Sequence, residues 1–125
     1  KELAEDIDLP MALKNFKKTL EDLWIEARER HPDKRRPYVA LNCVISDGEN
    51  LYTYCGYEEN YKASRSLCFG DQHAFEMSYS LSKEKLIVAS EKTNREEDWR
   101  PLKNGELLTG RIVDDEITVE IEKVI

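Results

Sequence analysis

The sequence contains few of the residues that build disulfide frameworks and metal sites. It has two histidines and three cysteines, Cys43, Cys55 and Cys68, and no C-x-x-C pair. An odd number of cysteines without that spacing predicts neither a disulfide framework nor a thiolate zinc site. We therefore expect no metal, no cofactor, and thiols that stay reduced, as they do in the cytoplasm.

Long apolar runs and an excess of positive charge are also absent. No stretch reaches the roughly 18 apolar residues that span a bilayer, and no signal-peptide core follows the start. The net charge of −7 argues against nucleic-acid binding, which requires a basic face. The short basic run of residues 34–36 lies between Pro32 and Pro37, which is typical of a solvated loop. We expect a soluble protein that binds neither membranes nor nucleic acids.

Apolar residues are numerous enough for one core. The chain has 125 residues, 40% of them hydrophobic, which predicts a single domain over residues 1–125. The first residue is Lys1 rather than Met. We therefore expect that the start has been removed or that the chain is a piece of a longer protein.

One amphipathic helix is predicted between Leu9 and Arg30. Pro10 suits its first turn, and the acids before it favour the positive end of the helix dipole. His31 precedes Pro32, and the residue before a proline disfavours the helical conformation, so the helix should end there. The negative carboxy-terminal end of the helix dipole favours a histidine, which explains His31 better than metal binding does. The apolar residues recur at the helical spacing of three and four: Leu13, Phe16, Leu20, Leu23, Trp24 and Ala27.

The rest of the chain is predicted to form strands joined by hairpins. The segment from Tyr38 to Ser46 predicts a strand buried on both faces, and Asp47 with Gly48 predicts a turn. The other predicted strands are Leu51 to Cys55, Phe75 to Ser80, Lys85 to Ser90, Glu106 to Val113 and Glu116 to Val124, the last two joined at Asp114 and Asp115. Because no crossover helix is visible, we expect an α+β fold with a mainly antiparallel sheet.

The thiols and carboxylates provide candidates for chemistry but no complete catalytic set. Cys68 and His73 are a candidate thiol pair without an identifiable third group, whereas Cys43 and Cys55 are predicted to pack in the core. Adjacent acids can serve as general acid and base only if one is desolvated. The acidic clusters, which we expect to be solvated, are Glu58-Glu59, Glu96-Glu97-Asp98 and Asp114-Asp115-Glu116. We therefore assign no residue as catalytic.

Tyrosines and glycines offer weaker signals. Tyr52, Tyr54, Tyr57 and Tyr61 would form an aromatic binding platform or, more often in such a pattern, pack against neighbours with the hydroxyl in water. Gly105 and Gly110 precede strand-like residues, and their separation does not match that of a glycine-rich phosphate-binding loop. We therefore expect both to be turn glycines.

Two stretches, taken in order, resemble a known family. They are Leu41-Asn42-Cys43-Val44-Ile45-Ser46-Asp47-Gly48-Glu49-Asn50-Leu51-Tyr52-Thr53-Tyr54 and, further on, Ile87-Val88-Ala89-Ser90-Glu91 with Trp99-Arg100-Pro101-Leu102 and Asn104-Gly105-Glu106-Leu107-Leu108. This combination resembles the latter half of the small, stand-alone class II glutamine amidotransferase domains, over roughly residues 9–114. The sequence departs from the family pattern at Cys55, where the family commonly has Arg, and at Lys92, where it has Pro.

The resemblance implies an N-terminal nucleophile hydrolase fold, an αββα sandwich of two antiparallel sheets between helical layers. It also implies an enzyme whose amino-terminal Cys attacks the side-chain amide of glutamine, with its own α-amino group as base, and releases glutamate and ammonia. Those catalytic motifs precede the helix, so no residue of this chain matches a catalytic position.

We therefore expect this chain to be the carboxy-terminal half of such a domain and inactive alone. Its partner would be the missing amino-terminal segment or a second copy, since half a sandwich leaves an apolar face uncovered. The alternatives are a non-catalytic α+β binding or interaction module, and a thiol enzyme that uses Cys68.

Overall fold

The computed structural model describes residues 8–34, 36–59, 72 and 74–124. These residues form one helix, α1 (Leu9–Ala27), and seven strands. The strands are β1 (Cys43–Ser46), β2 (Asn50–Cys55), β3 (Met77–Leu81), β4 (Leu86–Ala89), β5 (Arg100–Leu102), β6 (Glu106–Val113) and β7 (Glu116–Lys123). Every strand pairing is antiparallel, which confirms the predicted α+β class.

Helix α1 is anchored to the rest of the protein by its first half. The carboxylate of Asp8 caps it, accepting a hydrogen bond from the Met11 amide at 3.3 Å. Leu13 is buried, whereas Phe16 and Leu23 of the same apolar stripe are 49% and 58% exposed. The helix ends at Ala27, three residues before the predicted end, because residues 28–30 form a turn.

The larger sheet has the strand order β1-β2-β6-β7. Both of its hairpins form at the predicted turns. Gly48 has a φ of 98° in the longer turn between β1 and β2, where the last pair is Ser46 with Leu51. Asp114 and Asp115 have φ values of 50° and 62°, the left-handed conformations that a two-residue hairpin turn requires. Aspartate reaches this region more readily than most residues do. Strand β6 therefore pairs with β7 along its whole length, from Glu106 opposite Lys123 to Val113 opposite Glu116.

The smaller sheet has the order β4-β3-β5. Strands β3 and β4 form the predicted hairpin, each shifted by one or two residues from the predicted bounds. The sequence did not predict β5, because Pro101 lies in its centre and proline cannot donate to a strand ladder. An edge position tolerates proline, since one side of an edge strand has no partner.

The two sheets pack face to face, and the helix covers the outer face of the larger one. Between the sheets, Cys55 and Leu108 lie against Met77 and Leu102, and all four side chains are buried. On the opposite face of the larger sheet, a second cluster contains Leu13, Tyr54, Leu107 and Val124. The described residues thus form three layers: helix, sheet and sheet.

The prediction of a strand from Tyr38 to Ser46 that is buried on both faces is wrong. Strand β1 starts at Cys43 and lies at the edge of its sheet, with Val44 and Ile45 50% and 38% exposed. An apolar composition predicts a strand, but pairing partners decide whether that strand is central. The expectation that apolar residues are left uncovered does hold for Val44 and Ile45 in this segment.

The turn between β1 and β2 is organised by Asp47. Its carboxylate accepts hydrogen bonds from the amides of Glu49 and Asn50 at 2.9 and 2.7 Å, from the Asn50 side chain at 2.9 Å and from the Tyr52 hydroxyl at 3.1 Å. These bonds, the Asn50 side chain first, hold the pKa of Asp47 far below its ordinary value.

This depressed pKa predicts an acid-dependent stability difference. Asp47→Asn keeps one acceptor oxygen but replaces the other by an NH₂ group, which would face the side-chain NH₂ donor of Asn50. The variant should therefore be less stable at neutral pH. Stabilisation by a carboxylate of lowered pKa is present above its unfolded pKa of about 4 and is lost as the pH falls below that value. The difference in unfolding free energy between wild type and variant, measured by urea titration, should therefore shrink below about pH 4.

The control is Asp115→Asn, which removes the same charge from the other hairpin in a conformation that asparagine also adopts. Its stability should differ little from wild type. A constant difference for Asp47→Asn between pH 7 and pH 3 would contradict the role of the carboxylate.

The partial burial of the helix stripe predicts unequal effects of one substitution. Leu13→Ala should lower the unfolding free energy by about 2–4 kcal/mol, because it empties a buried site. Leu23→Ala makes the same chemical change at an exposed site and should cost less than about 1 kcal/mol. Thermal or urea unfolding of both variants measures this, and equal losses would show that the stripe is covered along its whole length.

Candidate functional site

The four edges of the two sheets differ in chemistry. Strand β7 carries four charged residues, and β5 carries Arg100 and Pro101. Strand β1 reads Cys-Val-Ile-Ser and β4 reads Leu-Ile-Val-Ala, without a charge or a proline. Charged residues and proline are the usual protection of an exposed edge against further pairing. Within the described chain, the β1 and β4 edges lack this protection.

The two unprotected edges border one cavity, which we call the edge cavity. It measures about 620 Å³ and opens between the start of β1 and the end of β4. Its lining residues are Asn42, Cys43, Val44, Met77, Val88, Ala89, Ser90, Glu91 and Thr93. The cavity therefore lies between the sheets at the side where neither sheet has a further described strand.

Asn42 fixes the relative position of the two sheets at this cavity. Its side-chain amide donates to the carbonyl of Phe75 at 2.8 Å, just before β3, and its oxygen accepts from the Gly56 amide at 2.9 Å. One side chain thus joins the ends of β1 and β2 to the beginning of the smaller sheet. A polar residue inside an apolar strand-like run was the only sequence signal for this role.

Backbone groups at the edge cavity point away from their own sheets. The backbone N–H of Leu41 donates to the carbonyl of Gly56, and the N–H of Glu58 donates to the carbonyl of Val39. In this segment and in β1, which continues it in the same register, the backbone groups of odd-numbered residues therefore bond toward β2. In an antiparallel ladder the bonding direction alternates, so the N–H and C=O of Val44 face outward. In the smaller sheet, the backbone N–H of Ser82 donates to the carbonyl of Lys85, so the odd-numbered residues of β4 bond toward β3. The N–H and C=O of Val88 therefore face away from β3. Both edges can accept another strand.

The two described cysteines are poor nucleophiles. Cys43 lines the edge cavity, and burial raises the pKa of its thiol. Cys55 is fully buried between the sheets, and burial raises its pKa to about 11. Attack requires the thiolate, which a raised pKa disfavours. This confirms a packing role for Cys55, whereas Cys68 and His73 lie outside the described residues and that pair stays a prediction.

The raised pKa of Cys55 predicts slow alkylation. At pH 8 its thiolate fraction should be on the order of 10²-fold lower than that of an ordinary thiol with a pKa near 8.5. Limited reaction of the native protein with iodoacetamide, followed by peptide mass spectrometry, should label Cys55 more slowly than Cys43. Unfolding in urea should abolish the difference. Labelling of native Cys55 at the rate of a free thiol would contradict its buried position.

Several of the other sequence candidates meet in another pocket of about 240 Å³, which Tyr54, Tyr57, Glu58 and Glu59 help to line. Tyr52 and Tyr54 lie on the helix side of the larger sheet, where the Lys17 amine donates to the Tyr54 hydroxyl at 2.9 Å. Tyr57 belongs to the cluster between the sheets and contacts Phe75, and Tyr61 lies outside the described residues. Of the described tyrosines, Tyr54 and Tyr57 therefore share a pocket, which Tyr52 does not line.

The acidic and basic clusters also have structural roles. Glu97 accepts from Lys85, and this bond is the largest cause that lowers its pKa, the opposite of what a general acid requires. Lys34 pairs with the exposed Asp33, as expected for a solvated loop. The side chains of Glu58, whose carboxylate lies 3.9 Å from the Arg36 guanidinium, and of Glu97 are only 18% and 19% exposed, so the expectation that the acidic clusters are solvated is wrong for these two residues. Asp114, Asp115 and Glu116 are exposed at a hairpin turn.

Metal binding and membrane insertion find no support among the described residues. No group of three or more His, Cys, Asp or Glu side chains in that part of the chain could hold a metal ion. The helix in that part of the chain is not long and apolar enough to cross a bilayer.

Comparison with known proteins adds no relative. No protein-family model, no curated protein and no solved structure matches this chain. Its function is therefore inferred from its own residues and geometry.

Proposed function

We propose that this chain is the carboxy-terminal half of a class II glutamine amidotransferase-like protein, which hydrolyses the side-chain amide of glutamine to glutamate and ammonia. One observation carries the proposal. Residues 42–44 and 88–91, which belong to two of the stretches that bear the resemblance, are more than 40 residues apart in the sequence but line the same edge cavity. Family-like residues that meet at one place are what a shared functional site predicts.

The layering supports the same proposal. The resemblance implies an αββα sandwich of the N-terminal nucleophile hydrolase type. The described residues supply a helix, a four-stranded antiparallel sheet and a three-stranded antiparallel sheet, stacked in that order. The amino-terminal half would supply the second helical layer and further strands.

In this proposal the chain positions the reacting groups and does not attack the substrate. The nucleophile would be an amino-terminal Cys on the other half, activated by its own α-amino group, with oriented N–H donors stabilising the tetrahedral oxyanion. The outward backbone groups of Val44 and Val88 would pair with strands of that half. Asn42 would keep the two sheet edges at the spacing that those strands require.

A glutaminase assay tests the proposal. The 125-residue chain alone should release no ammonia from glutamine, because the attacking Cys would lie on the other half and the described thiols, Cys43 and Cys55, have raised pKa values. The full-length protein that carries both halves should release ammonia and glutamate in equal amounts. Val44→Lys in the full-length protein should lose most of this activity, because a charge at the joining edge opposes strand addition.

Ile121→Lys is the matched control. Ile121 occupies the opposite edge of the same cross-strand row, Val44–Thr53–Leu108–Ile121, and is 41% exposed. This variant should keep its activity. Ammonia release by the isolated chain, or an inactive full-length protein, would contradict the proposal, and the latter result would favour a non-catalytic interaction module.

A further inference from the structure

A second apolar surface lies at the other end of β1, where three turns meet. Ile112 lies there, near the end of β6, and is 71% exposed. Ile112 stands directly opposite Ile117, and both line a groove of about 240 Å³ together with Leu51 and Leu86. We call this groove the hairpin cleft. It shares no lining residue with the edge cavity.

Gly110 makes room for the cleft, and the prediction that it is a turn glycine is wrong, because it lies inside β6. A Cβ atom at this position would overlap the Leu86 side chain of the smaller sheet. Leu86 therefore rests directly on the β6 backbone, and Ile112, two residues further along β6 on the same face, has no apolar cover. The packing of the sheets therefore forms one wall of the cleft, and residues of the β1–β2 turn form another.

The cleft continues past Ile117 toward the β3–β4 turn. A neighbouring cavity of about 570 Å³ is lined by Leu81, Lys83 and, again, Ile117. Leu81 and Ile117 provide apolar walls, so the two cavities offer successive positions for apolar side chains along one exposed line. Such spacing suits an extended or helical peptide better than a small compact ligand.

The rim of the cleft is acidic. Five exposed acids lie on the two adjoining turns: Asp47, Glu49, Asp114, Asp115 and Glu116. Of these, Glu49, Asp115 and Glu116 line the two cavities. The basic residues that line the two cavities are Arg111, which pairs with Glu120 at 2.6 Å, and Lys83. Negative potential therefore predominates around an apolar centre.

We propose that the hairpin cleft docks a basic amphipathic segment of another protein. An aliphatic or aromatic side chain of that segment enters between Ile112 and Leu86, and its Lys or Arg residues lie against the acidic rim. Complementary charge guides association and sets specificity, while the apolar anchor supplies most of the binding energy. This surface is additional to the amidotransferase proposal and does not depend on it.

Charge favours this partner over a second copy of the chain. In a two-fold dimer each surface meets its own counterpart. The acidic rims would then face each other in a protein of net charge −7. Anionic lipid surfaces would be repelled for the same reason.

Peptide display tests the proposal. A random 12-residue peptide library is selected on the purified 125-residue chain, and enriched peptides are synthesised for fluorescence-anisotropy titration. We expect them to combine Lys or Arg with Leu, Ile or Phe. Ile112→Ser should weaken binding about tenfold or more, and Glu116→Gln a few-fold, with wild-type affinity falling as salt increases.

Ile121→Ser is the control, because it removes an exposed isoleucine from the same sheet outside the cleft. Its affinity should equal that of wild type, and circular dichroism should show each variant folded. The proposal would be overturned by failure to enrich any peptide, by enriched peptides without basic residues, or by unchanged binding to Ile112→Ser. Concentration-dependent dimerisation through Ile112 would overturn it in favour of a second copy.

Discussion

The packing of the two sheets against each other is the interaction on which the rest of the structure depends. Strands β2 and β6 are central in the larger sheet and have both faces covered. Cys55 and Leu108 face the smaller sheet, while their neighbours Tyr54 and Leu107 face the helix. Burial of apolar surface on both faces of the same two strands holds the three layers together.

This arrangement leaves the periphery with little support of its own. The helix is anchored mainly through Leu13, and β1 is an edge strand whose Val44 and Ile45 are largely exposed. The charged β7 and the proline-containing β5 suit permanent edges, whereas β1 and β4 have the composition of strands that continue a sheet. The edge cavity between them is where the proposed catalytic half would complete the sandwich. The hairpin cleft, at the other end of β1, would remain available to a separate partner.

Local sequence patterns predicted the elements well where one interaction dominates. The alternation of Ile117, Val119 and Ile121 with polar residues, and the aspartates at the turn, predicted the β6–β7 hairpin with the first strand bounded correctly. Asp8 and Pro10 marked the helix start correctly. Strand β5 was missed because Pro101 argues against a strand unless its edge position is already known.

The site could not be predicted in the same way, because it depends on tertiary placement. Nothing in the run from Tyr38 to Ser46 distinguishes an edge strand from a central one. The meeting of Cys43 and Val44 with Ala89 and Ser90 follows from sheet stacking, which local periodicity does not encode. The sequence resemblance grouped these stretches by order alone, and the fold brings them to one cavity.

Amide hydrogen exchange tests most directly whether the open side is the joining surface. In the 125-residue chain, the outward amides of Val44 and Val88 should exchange rapidly while the central β6 amide of Leu108 is protected. In the proposed longer protein that also carries the amino-terminal half, Val44 and Val88 should become protected as well. Equal protection of Val44 and Leu108 in the isolated chain, or rapid exchange of Val44 in both proteins, would contradict the account.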